Sequence, residues 1–313
     1  MKPPVPFLTR GRAAAAAFVV AACPAALLAQ WPSYPTGAPK GPDGKVNMNA
    51  PTPRAADGHP DFSGIWAANG GGGGGRGARG RGPNGAGRGE PIGAPGAEAP
   101  ATPDPLASIP AATFFNIAQN IPGGAPLQPW AAEALKKRMG DNMKDNPDAH
   151  CLPLGLMQLH LHPQPRKIIQ TPNLIVILYE AQAGVRQIFL DGRSSPPTDV
   201  QPWWYGYSVG HWEGDTLVVT TTGFRDDVWL DVDGTPMTNT GRMIERFTRP
   251  NYGTLDIVIT IDDPHVFTKP FTVKVTQRIM ADTDLIEFIC NENERSDAHL
   301  VGAGYKEPAD TKK

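Results

Sequence analysis

From Lys167 onward the chain is divided into short runs of β-branched and aromatic residues, each ended by a turn signal, and this division restricts the fold more than any other feature. Val, Ile, Thr, Phe and Tyr suit a pleated, half-buried surface. The runs span 167–170, 174–180, 185–190, 205–212, 216–222, 242–249, 254–262, 271–280 and 285–290. Between them stand Pro172-Asn173, Asp191-Gly192, Glu213-Gly214-Asp215, Asp233-Gly234, Asn251-Tyr252-Gly253 and the stretch 281–284, all favourable to turns. Alternation is explicit in one run: Leu255, Ile257, Ile259 and Ile261 share one face, and Asp256, Val258, Thr260 and Asp262 the other. Many short strands with little helix between them predict a mainly β fold: an antiparallel meander that forms a lipocalin-like barrel or a sandwich. One short helix is predicted ahead of it over 128–143. Pro129 suits the first helical position; Trp130, Ala134, Leu135 and Met139 follow helical spacing, with Lys136, Lys137 and Arg138 on the other side. Residues 113–121 fit a short helix or strand, and no internal repeat is evident.

The chain before this domain has a different composition. Gly 35 and Pro 34 both exceed average usage, and most of the excess precedes Pro129. Lys2, Arg10 and Arg12 followed by the apolar run 13–29 predict a signal peptide over 1–29, too short and too interrupted by Pro24 for a stable transmembrane span. Cys23, after Val20-Ala21-Ala22, offers a rival processing site with a lipid anchor. The expected location is therefore outside the cytoplasm, periplasmic or extracellular. A Pro/Gly-rich leader occupies 30–56, a docking strand 57–67, a mostly disordered low-complexity insert 68–126, the globular domain 127–305 and a disordered tail 306–313. In an oxidising compartment Cys151 and Cys290 read as a disulfide, with two buried thiols as the alternative. The net charge of −2 argues against nucleic acid as a partner, and the Arg/Gly stretch 70–89 reads as a solvated insert.

Several blocks form a familiar set: Gly64-Ile65-Trp66, Cys151-Leu152-Pro153, Gln170-Thr171-Pro172, Glu180 followed by Arg186, Asp191-Gly192-Arg193, Glu245-Arg246-Phe247, Asp262-Asp263-Pro264, Cys290-Asn291-Glu292-Asn293, and Gly206-Tyr207-Ser208-Val209-Gly210-His211-Trp212-Glu213-Gly214-Asp215-Thr216-Leu217-Val218-Val219. Together they resemble an uncharacterised family of exported bacterial β-rich proteins. That resemblance implies export and a β fold, and implies no activity. Gly64-Ile65-Trp66 is also similar to the Gly-x-Trp on the first strand of lipocalin-type calycin barrels, which implies a meander around a small ligand.

Three groups of residues could carry chemistry. Glu180, Arg186, Glu213 and Glu245 are candidate catalytic residues, because two carboxylates with separated pKa values can serve as general acid and base while an arginine orients an anion. Trp203, Trp204, Tyr205, Tyr207, His211, Trp212 and Trp229 are candidate ligand-binding residues, dense enough in aromatics to line an apolar pocket. His160 and His162 would share one face of an extended segment about 7 Å apart and are weak metal candidates; no cofactor is expected. The chain lacks a Gly-x-Ser-x-Gly elbow and a phosphate-binding loop. The leading expectation is a protein that binds a small apolar or amphipathic ligand in an aromatic-lined barrel cavity. The alternatives are a carboxylate-dependent hydrolase or isomerase acting on a glycan or small metabolite, and a structural envelope-associated module.

Overall fold

A computed structural model describes residues 37–68, 106–197, 199–226, 228–292, 301, 302 and 304. The predicted signal peptide with Cys23, the Arg/Gly stretch and the tail lie outside them. Nine strands close into one barrel: β1 (Gly64–Ala68), β2 (Arg166–Gln170), β3 (Leu174–Tyr179), β4 (Val185–Phe189), β5 (Tyr207–Glu213), β6 (Thr216–Thr222), β7 (Arg242–Asn251), β8 (Thr254–Asp262) and β9 (Phe271–Ile279). Each pairs with the next, and β9 returns to β1 through Trp66↔Ile279.

All pairs are antiparallel except β4–β5, which run parallel through Ile188↔Ser208 and Phe189↔Val209. The meander predicted no parallel pair, yet counting requires one. Strands that alternate up and down around a ring return in step only if their number is even, so a ring of nine must hold a parallel pair. A parallel pair needs a long crossover, and the segment between Phe189 and Tyr207 supplies it. The run 285–290 was also expected to be a strand. It joins no ladder, because β1 and β9 already close the ring and leave no edge to extend.

Side-chain alternation decides which face fills the barrel. Leu255, Ile257, Ile259 and Ile261 are wholly buried and point inward, as their spacing predicted. Met243 and Phe247 on β7, Val273 and Val275 on β9, and Ile175 and Ile177 on β3 join them in one core. Trp66 of β1 lies within it, its indole N–H donating to the Phe62 carbonyl.

The predicted helix is α1 (Pro129–Gly140), with Pro129 in its first turn and Lys137 and Arg138 in its last. Its expected apolar face is only partly covered: Ala131 is buried, whereas Trp130 and Met139 are exposed. A second helix, α2 (Leu156–Leu161), was not expected. Leu156, Met157, Gln158, Leu159 and His160 are all buried, so α2 is covered on every side. Residues 113–121 form turns, in place of a helix or strand, and Ile117 and Ala118 within them are buried although composition placed 106–126 in the insert.

The segment 37–62 forms a strap across the barrel rim and contains a repeated turn. Asn47 N–H bonds Pro39 O, Gly44 N–H bonds Gly41 O, and Asp43 accepts from Lys45 N–H. Fourteen residues later Asp61, Pro53, Gly58, Ala55, Asp57 and His59 make the same bonds in the same order, as the numbering of each pair shows. The two copies share chiefly turn-forming positions, so the repeat is visible in the hydrogen bonds before it is visible in the letters. The second copy docks firmly: His59 stacks on Trp212 at 4.4 Å, and Phe62 enters the core.

Candidate functional site

Two of the four candidate catalytic residues meet inside the barrel. The inward parity of β4 and β7 points Arg186 and Glu245 at each other, with side chains 1% and 0% exposed. Arg186 grips both Glu245 oxygens, its NH1 lying 3.0 Å from Oε1 and its NH2 bonding Oε2. Its Nε donates to Ser208 Oγ at 3.1 Å, and NH2 also donates to Thr221 Oγ1 at 3.0 Å. His160 of α2 completes the set, with Nε2 2.7 Å from Glu245 Oε1. Burial alone would raise the Glu245 carboxyl, but the Arg186 charge and the hydrogen bonds from His160 and Arg186 overrule it and hold its pKa at about 2. Burial pushes His160 below the usual imidazole range despite the opposing pull of Glu245.

Arg166 of β2 is buried beside this network and feels burial most, its pKa lowered to about 10. Instead of a carboxylate it holds the backbone carbonyls of His160 and His162 at 2.7 and 3.0 Å, which fastens the end of α2. Tyr179, paired in register with Arg166, is also buried; its hydroxyl has no hydrogen-bond partner of good geometry, and its pKa is raised by burial. Glu245 accepts hydrogen bonds on both oxygens, and Arg186, Glu245 and His160 are sealed from solvent. The chemistry of the network is that of a fixed, charge-paired core.

The other two acids lie elsewhere. Glu180 follows β3 and accepts from Ile286 N–H at 3.2 Å, its pKa raised by burial. Glu213 is exposed at the β5–β6 turn, bonded to Arg246 at 2.8 Å and to His211 at 3.3 Å. Glu180, Glu213 and Glu245 therefore occupy three separate places.

The candidate aromatics are likewise distributed. Trp203 and Tyr207 pack on the outer wall, Tyr207 stacking on Phe189 at 5.1 Å. Tyr205 turns toward Tyr179, and its own pKa is raised by burial to about 12. Trp212 lies under the strap, between His59 and Phe62. His160 and His162 do not share a face, because α2 replaces the extended segment: His160 meets Glu245, while His162 meets the ring of Phe114 at 5.3 Å. Among the described residues no group of three or more His, Cys, Asp or Glu side chains converges as a metal site would require.

Trp204 and Trp229 do come together, in a cleft of about 490 Å³ on the outside of the barrel. Its far wall is the last turn of α1 with Lys137 and Arg138, and its floor is the segment 141–152 with Lys144, Asp145 and His150. Local turns set each wall. Asp231 is buried and accepts from Gly234 N–H, Thr235 N–H, Thr235 hydroxyl and Ile117 N–H, which fixes the bend after Trp229. Gly234 has a φ of 101°, a conformation that L side chains resist, and a Cβ there would strike Arg138. Arg138 lies over the Trp229 ring at 4.5 Å and donates to Gly234 O at 2.6 Å. Gly155, at the start of α2, comes so close to the Trp229 carbonyl that a Cβ would lie 2.1 Å from it.

Cys151, between the cleft residues His150 and Leu152, is bonded to Cys290, with Cα atoms 5.5 Å apart. The disulfide reading of the two cysteines therefore holds. Arg138 was missed by sequence reading, and His160 was singled out only as a weak metal candidate. His160 lies in an apolar run with no mark of its distant partner, and Arg138 looked like one more charge on a solvated helix face.

The chain matches no family model, no curated protein and no solved structure. Among the described residues no helix is long and apolar enough to cross a membrane.

Proposed function

We propose that this is an exported small-ligand-binding protein whose site is the cleft between α1, the segment 141–152 and the indoles of Trp204 and Trp229. The observation that carries the reading is the cleft itself, about 490 Å³ and walled by two indoles and several ionisable side chains. Its size falls within the roughly 300–1,000 Å³ of small-molecule sites, and its mixed wall suits an amphipathic molecule. The barrel supplies a rigid support, and the Cys151–Cys290 bond ties down the floor. The signal-like first residues and this disulfide agree with export. The reading departs from the expected interior cavity, because aliphatic side chains, Trp66 and the sealed ion pair occupy the described interior.

The test is ligand-observed NMR with a panel of small amphipathic compounds, run on the wild type and on Trp204→Ala. Trp204 is only partly buried, so the variant should keep its far-ultraviolet dichroism and thermal unfolding transition. Binding by the wild type that weakens at least tenfold in the variant supports the site. Binding that is unchanged in the variant, or no binding by any compound, counts against it.

A further inference from the structure

We infer that the cleft selects a small monoanion, a carboxylate attached to an apolar or aromatic body, and that Arg138 is the group that takes the carboxylate. This inference rests on the reading of the cleft as a binding site. Among the side chains lining the cleft, Lys137, Arg138 and Lys144 are basic, while Asp141 and Asp145 are acidic. The two acids are already engaged by Lys144, at 3.3 Å from Asp141 and 2.8 Å from Asp145. Lys137 makes no ion pair among the described residues. Arg138 has no carboxylate within 4 Å among them either, although Asp231 and Asp145 attract it from farther away. Asp231 is spent on its own turn, where four donors occupy its oxygens.

Arg138 is thus a half-buried cation held in place without an anion in contact. Its NH1 is fixed by Gly234 O, and its plane is fixed over Trp229. Burial lowers its pKa, which registers the desolvation that an incoming anion would offset. A guanidinium fixed in this way presents its remaining N–H groups in the fork that a carboxylate matches. One basic charge in excess among the lining residues fits a monoanion better than a dianion. Partly exposed Trp204, with Met143 and exposed Leu152 in the same lining, provides the surface for an apolar body.

The experiment compares two probes of nearly equal shape, phenylacetate and phenylacetamide, by calorimetry and ligand-observed NMR at low and high salt. The wild type should bind phenylacetate at least tenfold more tightly than phenylacetamide, with the difference shrinking in high salt. Arg138→Gln should bring phenylacetate down to the level of the amide and leave the amide unchanged. Exposed Lys137 offers a variant with little risk to folding, and Lys137→Gln should weaken phenylacetate two- to threefold. Equal binding of both probes to the wild type overturns the anion inference while the cleft remains a binding site. Binding of neither probe overturns the inference for this body, and the wider panel above then decides separately whether the cleft binds at all. If Arg138→Gln does not fold, the ratio of the two probes on the wild type and the Lys137→Gln result decide the matter.

Discussion

Glu245 and Arg186 stabilise the barrel only as a pair, and their variants should behave accordingly. Glu245→Gln leaves a guanidinium buried without its counter-charge, a loss of about 3–5 kcal/mol. Replacing both with apolar residues, Arg186→Met with Glu245→Leu, removes the charges together and should cost much less than either single change. Urea unfolding of the three variants measures this, and a double variant as weak as the singles would refute it. His160 makes a separate prediction about pH. Its folded pKa lies below the usual 6.5, so above that value both folded and unfolded chains are neutral at this site and its contribution is flat. As pH falls below 6.5 the unfolded chain gains a proton that the folded chain resists, and stability is lost. Glu245 adds a second loss below its usual 4.5, as pH falls toward the folded value of about 2. His160→Asn should flatten the loss between pH 6.5 and 5 in urea titrations, leaving the lower phase in place. Neither Arg186 nor Glu245 needed the structure to be noticed, since both are charged residues in strand-like runs. That they meet each other, and that His160 meets Glu245, had no signal in the letters, because the contacts join residues 59 and 85 positions apart.

At the scale of elements, the strands were legible because period-two patterning is a local property, and β8 is the clearest case. The helix α2 was not. Its six residues are too few to show a helical stripe, and a helix that buries Gln158 and His160 along with its apolar residues does not need one. The strap 37–62 joins the end of the Pro/Gly-rich leader to the start of the docking strand 57–67, and its turns bring Phe62 of that strand segment into the core, 1% exposed. Phe62 also donates its backbone N–H to Gln170, which in turn donates to Pro60 O. Phe62→Ala should cost about 3–5 kcal/mol and release the strap. Limited proteolysis should then cut within 37–62 in the variant and spare that stretch in the wild type.

For the whole molecule, the Cys151–Cys290 bond closes a loop across a sequence separation of 139, from the floor of the cleft to the end of the barrel sequence. Reducing it should lower stability by up to about 5 kcal/mol, mainly by restoring entropy to the unfolded chain. Ligand affinity at the cleft should fall with it, since His150 and Leu152 flank Cys151. Denaturant midpoints with and without reductant measure the first effect, and calorimetry with phenylacetate measures the second.

Local patterns were enough to establish a mainly β domain, the shared face of Leu255, Ile257, Ile259 and Ile261 on β8, the helix α1 and two cysteines able to pair. Those features arise from propensity, alternation and compartment chemistry, which act over a few residues or on composition. Ring closure, the parallel β4–β5 contact, the enclosure of α2 and the grouping of side chains into a sealed network and an open cleft were decided by tertiary structure. Each depends on which distant segments become neighbours, and alternation restricts where a side chain points without specifying what it will meet there.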